Sequence, residues 1–238
     1  MNSPLGPAPP CGNVCLTAGS VPSTAHLTIS SLKHQDQILA DKTERQLPGG
    51  LVNWLETHFE PGYAVFYNGA KCGASAPDHF HFQAVLQNDI PLIRQWDRLM
   101  STAVCTKEQN MVNGSRCRSY QITNYICPIQ AFVTDQSMTT SPELIEEYLH
   151  TLPIHDGEYE PRYNLFAWND PVRGFTVVYL PREKHRPACY TASGNAQILV
   201  SPGALDMAGL LVTPRKEDFD KITEQDILQI YKEVSYSN

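Results

Sequence analysis

No block of Lys or Arg interrupts this 238-residue sequence: 18 basic residues are outnumbered by 25 acidic ones, for a net charge of -7. The isoelectric point is about 5.6. A surface of that sign repels a phosphodiester backbone, so nucleic acid is not an expected partner. No apolar run approaches the roughly 18–20 residues needed to cross a bilayer. The opening residues also lack the basic, apolar, then small-residue order of a secretion signal. A membrane partner is therefore not expected, and the cytoplasm is the default location. Cysteine forms no paired framework: seven residues, at 11, 15, 72, 105, 117, 127 and 189, are an odd number in a chain long enough to bury a core without staples. Reduced thiols are the simpler reading. Cys11 and Cys15 have C-x3-C spacing, but no second Cys or His pair with ligand spacing follows, so no metal or other cofactor is expected.

What is present reads as an α+β chain with antiparallel strands. Residues 1–22 carry five prolines and no period of either kind, an irregular or disordered lead-in to one domain over 23–238. His26 to Ser30 reads as a short strand. Lys33 to Gln46 reads as a polar helix stopped by Pro48-Gly49-Gly50, after which Leu51 begins a second helix. Strands are expected at Gly62–Tyr67, along the histidine segment to about Val85, at Arg118–Asn124, at Ile129–Thr134 and at Gly209–Thr213. Tyr163–Trp168 and Phe175–Leu180 read as a hairpin around a turn-rich connector. Leu92 to Met100 has helical spacing. Ser141-Pro142 opens a helix with a cap and a first-position proline, and Thr223 caps a terminal one.

The chemistry concentrates in His79-Phe80-His81-Phe82-Gln83. Strand side chains alternate, so His79, His81 and Gln83 share one face and the two phenylalanines the other. Burying the phenylalanines would contribute roughly 1.5–3 kcal/mol each and pin the register, making the polar face a rigid platform. The plainer alternative is an exposed edge strand. The preceding loop, Asn68-Gly69-Ala70-Lys71-Cys72-Gly73-Ala74-Ser75-Ala76-Pro77, has small residues that let backbone N–H groups approach an anion, and Lys71 adds a positive charge. A neutral imidazole is a competent nucleophile toward phosphorus once a hydrogen bond from one ring nitrogen to a carbonyl or side chain fixes the other for attack. Gln83 can donate its amide to a phosphoryl oxygen but cannot relay a proton, which favours handing the group to an acceptor over hydrolysis.

Tyr67-Asn68-Gly69, Gly73-Ala74-Ser75-Ala76-Pro77 and the H-x-H-x-Q segment resemble the pattern of the histidine-triad-like (HIT-like) superfamily. The glutamine is the mark of its transferase and phosphorylase branch, which includes diadenosine tetraphosphate phosphorylases, GDP-hexose phosphorylases and galactose-1-phosphate uridylyltransferases. The resemblance, closest to a bacterial subfamily of unassigned substrate, implies a HIT-like antiparallel sheet with flanking helices. It also implies a covalent nucleotidyl-histidine on His81, a phosphate contact from Gln83 and a supporting role for His79. Asn68, Lys71, Gly73 and Ser75 would bind substrate. Weaker echoes run through Pro181 to Pro187 and Ser201 to Arg215, so Arg182 and Lys184 are expected to hold the departing phosphate or the incoming acceptor; a solvated strand end is the alternative. The implied partners are a nucleotide or nucleotide sugar with phosphate or a sugar phosphate, and a homodimer. Two departures stand out: Asp78 intervenes between Pro77 and His79, and residues 1–22 look unrelated to the longer N-terminal part of relatives, as if the chain were truncated there. The competing activities are a hydrolase of the same superfamily and a catalytically impaired nucleotide-binding protein. Ser201–Gly203 and Met207–Gly209 read as turns, and His150 and His155 as surface residues.

Overall fold

The computed structural model describes residues 15–18, 27–30, 35–39, 44–58 and 62–236. Its strands are β1 (Cys15–Ala18), β2 (Leu27–Ser30), β3 (Tyr63–Asn68), β4 (His81–Leu86), β5 (Val104–Asn110), β6 (Arg116–Ile122), β7 (Ile129–Thr134), β8 (Tyr163–Asp170), β9 (Gly174–Pro181) and β10 (Leu210–Thr213). The helices are α1 (Leu47–His58), α2 (Pro91–Arg94), α3 (Trp96–Met100), α4 (Pro142–Leu149), α5 (Ala204–Met207), α6 (Lys216–Lys221) and α7 (Glu224–Val234). Among the described residues, eight strands form one antiparallel sheet in the order β2-β4-β3-β8-β9-β7-β6-β5. β1 and β10 make a separate parallel pair.

Strand alternation sorts the apolar residues onto two faces. Phe66, Val85, Phe166, Trp168, Val178 and Leu180 pack on one side with Trp96, Leu99, Met207, Ile227 and Ile230 of the helices. Val65, Tyr67, Phe82, Leu165, Val177 and Tyr179 pack on the other with Val52 and Leu55 of α1 and Leu144, Ile145 and Leu149 of α4. Both faces of the sheet's middle are thus covered, which is why β8 and β9 read as nearly continuous apolar runs. Phe80 and Phe82, 6% and 2% exposed, belong to the second side, where burial of about 1.5–3 kcal/mol each fixes the register of β4. The caps behave as read: Ser141 Oγ accepts the Leu144 N–H at 3.2 Å, and Thr223 Oγ1 that of Asp226 at 3.2 Å.

Three local expectations give way, and one strand is unannounced in the sequence. Of the helix expected over Lys33–Gln46, residues 35–39 are irregular and 44–46 a single 3-10 turn. Gln35 and Gln37 there make backbone bonds with Phe80 and Pro77 instead, at 2.6 and 3.0 Å. Pro48 does not stop a helix but sits in the first turn of α1, where a missing N–H costs nothing. Gly49 is needed there because a Cβ would lie 1.8 Å from the Met138 carbonyl oxygen. Within the lead-in, Cys15–Ala18 form a strand; His26 and Cys11 lie outside the described residues. Finally, β5 has no apolar alternation to announce it, because it is an edge strand exposed along nearly all its length. No helix among the described residues is long and apolar enough to cross a membrane.

Candidate active site

The histidine segment ends a turn and begins a strand. The His79 N–H donates to the Ala76 carbonyl at 3.1 Å, and the strand starts at His81. His79 therefore does not share a strand face with His81; its backbone carbonyl, not its ring, meets His81, whose Nδ1 lies 2.7 Å from it. A carbonyl only accepts, so Nδ1 carries a hydrogen, and in the neutral form of the ring Nε2 holds the lone pair. His81 is only 6% exposed. Gln37, fully buried, clamps its backbone from both ends: Oε1 accepts the His81 N–H at 2.8 Å, and Nε2 donates to the carbonyls of His81 at 2.9 Å and Asn68 at 3.0 Å. Gln37 thus fixes the backbone of His81, and the His79 carbonyl orients its ring.

From His81 a line of polar side chains crosses the sheet on the face that carries Phe66 and Phe166. Gln83 of β4 accepts from Asn68 Nδ2 at 3.4 Å. Asn68 Oδ1 takes the Asn164 Nδ2–H at 2.9 Å and the Ala204 N–H at 2.6 Å. Asn164 also donates to the Cys72 carbonyl at 2.7 Å and accepts from Arg182 Nη1 at 2.7 Å. Arg182 is 1% exposed. Its remaining donors reach the carbonyls of Val234 (3.1 Å), Pro202 (2.9 Å), Lys184 (3.0 Å) and His185 (3.1 Å). Those contacts match the five N–H groups of a guanidinium. Arg182, expected to hold a phosphate, is instead spent on the protein: it ties the 182–185 turn, the 202 loop and the end of α7 to Asn164. Burial pulls its pKa below the ordinary arginine value, and Asp206 acts on its charge in the opposite sense. Asn68 likewise has its carbonyl oxygen occupied by protein donors, so its expected substrate contact is not a free one.

The loops at this end of the sheet lock together through glycine. Gly73 has φ +91°, and a Cβ on it would lie 2.5 Å from Gly203 Cα and 2.9 Å from the Gly203 nitrogen. Gly73 thus serves the loop-to-loop contact rather than an approach to an anion alone. Lys71, Ser75 and Lys184 are exposed. The charge of Lys71 falls on His185 together with those of Arg186, Arg182 and Arg162. With burial as the largest cause, they push the His185 imidazole down to about 4, leaving it neutral at pH 7. The Glu233 carboxyl is held below its ordinary value by the Ala188 N–H first, then by Gln229, with a smaller contribution from the charge of Lys184.

Behind the row, Asp206 is buried and accepts the N–H groups of Gly203 at 2.8 Å and Val212 at 2.7 Å. Burial raises its carboxyl to about 6. On the opposite side of the sheet Glu160 accepts from Leu39 N–H (3.0 Å), Tyr67 Oη (2.8 Å) and Tyr163 Oη (2.8 Å). It borders a pocket of about 190 Å³ that Lys71, Cys72 and Arg162 also line.

Sequence reasoning missed Gln37, Asn164 and Asp206. Asn164 had a legible signal: it interrupts the apolar stripe of β8 on the same face as Phe166 and Trp168. Gln37 had none, since its partners lie on two strands remote in sequence.

Residues 100–238 match the family model of the GDPGP1-like C-terminal domain. Residues 21–86 match a domain of unknown function, DUF4922. Strands from both matched segments form the one sheet, β3 and β4 from the first, β8 and β9 from the second. The crystal structure of yeast Ap4A phosphorylase Apa2 resembles 89% of this chain over 68% of its own, with a TM-score of 0.58 at 13% identity, a likeness of fold. No curated protein matches the chain.

Proposed function

Because the chain belongs to the GDPGP1-like C-terminal domain family, within the HIT-like phosphorylase and transferase group, we propose that it transfers a nucleotidyl group through a covalent adduct on His81. The substrate is a nucleoside diphosphate sugar or a dinucleoside polyphosphate. His81 Nε2 bonds to the α-phosphorus while the bridging P–O bond on its far side breaks, and that electron pair leaves with the phosphorylated fragment. An oxygen of inorganic phosphate or a sugar phosphate then attacks the same phosphorus. The P–N bond breaks and its pair returns to Nε2.

The observation that carries this reading is the 2.7 Å contact of Nδ1 with the His79 carbonyl, which leaves Nε2 as the nucleophilic nitrogen of a buried, clamped ring. Gln83 supports it by supplying an amide and no proton acceptor of the kind that activates water. Lys71, Ser75 and Lys184, all exposed at the same end, are the remaining contacts we assign to the substrate and the acceptor.

The test is incubation with α-32P-labelled GDP-hexose and diadenosine tetraphosphate, with and without inorganic phosphate. The expected result is an acid-labile protein label that His81→Ala abolishes and that phosphate discharges. Nucleotide release that proceeds equally without phosphate, with no label on the wild-type chain, would overturn the reading in favour of a hydrolase.

A further inference from the structure

The ladder between β3 and β4 stops short of the site. Its last paired residues are Phe66 and Gln83, yet both strands run on: β3 reaches Asn68 beside Asn164 of β8, and β4 begins at His81 beside Ser30 of β2. Each strand end is thus paired on its outer side and parted from the other. The side chain of Gln37 spans the gap. A primary amide carries one acceptor oxygen and two N–H groups, the same kinds of group that a ladder uses. Its Oε1 accepts the His81 N–H at 2.8 Å, and its Nε2 donates to the carbonyls of His81 at 2.9 Å and Asn68 at 3.0 Å. A backbone N–H only donates and a carbonyl only accepts, so the amide fits in one orientation alone. The side chain is fully buried, and in such a place these bonds are not exchanged for bonds to solvent.

The backbone of the same segment reaches the peptide unit before His81. The Phe80 N–H donates to the Gln35 carbonyl at 2.6 Å. A trans peptide unit is planar, with its N–H and C=O pointing in opposite directions. Holding the Phe80 N–H therefore aims the His79 carbonyl the other way, where His81 Nδ1 lies 2.7 Å from it. Segment 35–37 thus grips three successive backbone groups, the Phe80 N–H, the His81 N–H and the His81 carbonyl, and the Gln37 N–H ties the segment to the Pro77 carbonyl at 3.0 Å. We propose that Gln37 is a positioning residue for the nucleophile: it holds the parted ends of β3 and β4 at a fixed separation and, with the Gln35 carbonyl, fixes the peptide plane that keeps the His81 ring in one tautomer. Its bonds to His81 go to the backbone, so it acts on the ring only through residues 79–81. An apolar side chain would not serve, because it would leave two carbonyls and an N–H without partners. The effect on transfer rests on the nucleotidyl-transfer reading above; the tautomer does not.

Gln37→Met in the full chain tests both parts. Methionine keeps the length and burial of the side chain and supplies none of the three bonds. In substrate-free protein carrying 15N-labelled histidine, at about pH 8.5 and so above the ordinary imidazole range, the wild type is expected to show His81 as one tautomer, Nδ1 protonated and Nε2 bare. His81→Asn assigns the two resonances. In Gln37→Met both nitrogens are expected to move toward the average of their protonated and unprotonated positions. An unmoved pair in the folded variant shows that Gln37 merely fills the interior, and it overturns the proposal whether or not the protein is a phosphorylase. For the catalytic part, the maximal rate of His81 labelling is expected to fall about 100-fold, with the half-saturating substrate concentration changed less than about 3-fold. A changed half-saturating concentration with the maximal rate intact means that Gln37 acts on binding, and overturns the proposal. A wild-type chain that forms no adduct overturns the transfer reading, and the tautomer then decides the positioning role alone. Should Gln37→Met not fold, Gln37→Asn replaces it, the same amide one methylene short of the gap. The same averaging is expected of it, and a single unmoved tautomer overturns the proposal.

Discussion

Two arginines of the same sheet, one on β6 next to its edge and one just past the central strand β9, show how differently one side chain can be used. Arg118 on β6 pairs with Glu108 of β5 at 2.6 Å, with the two side chains 29% and 45% exposed. Arg182, just past β9, is buried and distributes five donors over four carbonyls and Asn164. The first answers one charge in solvent; the second answers backbone carbonyls of three separate segments and one side-chain oxygen. Only a donor that water cannot replace dictates the orientation of what it touches.

The difference is largest if Arg182 is changed while its charge is kept. Lysine has three donors in place of a planar five, so Arg182→Lys leaves at least two buried acceptors unanswered. The expected loss is about 3–5 kcal/mol of stability, which for a chain of this size is a fall of roughly 6–20 °C in melting temperature. Calorimetry checks it; a fall under about 2 °C would mean that water substitutes freely and that the row is not dry.

Next in size is the contact that closes the site. Gly73→Ala places a methyl 2.5 Å from Gly203 Cα at a backbone φ of +91°, a position strained for any L side chain. The expected cost is about 1–3 kcal/mol, with loss of His81 labelling because the 69–77 and 202–203 loops must part. Gly114→Ala, with φ +84° but open space around its Cβ position, has the strain without the clash. The difference between the two variants in urea unfolding isolates the contact.

Two aspartates extend the comparison to pH. Burial lifts Asp206, beside the polar row, from 3.8 to about 6, so folding favours its neutral form. Its contribution is full below about 3.8 and is lost as pH rises through about 6. Asp218 in α6 runs the other way: hydrogen bonds from Arg215 first, then from the Leu199 N–H and Lys221, hold it near 2, so its contribution is present above 3.8 and lost as pH falls through about 2. Urea midpoints measured from pH 4 to 7 are expected to decline for the wild type. The decline should be shallower in Asp206→Asn. It does not vanish, because burial raises Glu160 in the same sense. An equally steep decline in the variant would remove Asp206 from the explanation.

What could be read in advance follows from the same contrast. The alternation of Phe80, His81, Phe82 and Gln83 has period two and lies within five residues, so the polar and apolar sides of β4 were legible, as was the hairpin of β8 and β9. Arg182 was visible as a cation after a strand, but its use was not, since its acceptors at 164, 185, 202 and 234 are joined only by the fold. The same holds for Gly73, whose partner is Gly203, and for Gln37, whose segment reads as a helix because short polar stretches carry no period to contradict one. His79 was placed on the wrong footing because the strand begins two residues later than alternation suggested. β5 went unseen because an edge strand bathed in solvent on both faces has no apolar side to display.

The smallest expected effect is the one that completes the contrast. Glu108 meets Arg118 at 2.6 Å and Arg116 at 3.6 Å, which on distance alone looks stronger than any contact Arg182 makes. All three side chains, however, are between 29% and 46% exposed, so water and salt screen the pair and each partner keeps hydration when the other is removed. Glu108→Ala is therefore expected to change stability by no more than about 1 kcal/mol, with the difference from wild type shrinking further in 1 M salt, where the screening length falls to about 3 Å. Urea unfolding at low and high salt measures it. A loss comparable to that of Arg182→Lys would show that the far edge of the sheet, and not the polar row, is where this fold concentrates its electrostatic stability.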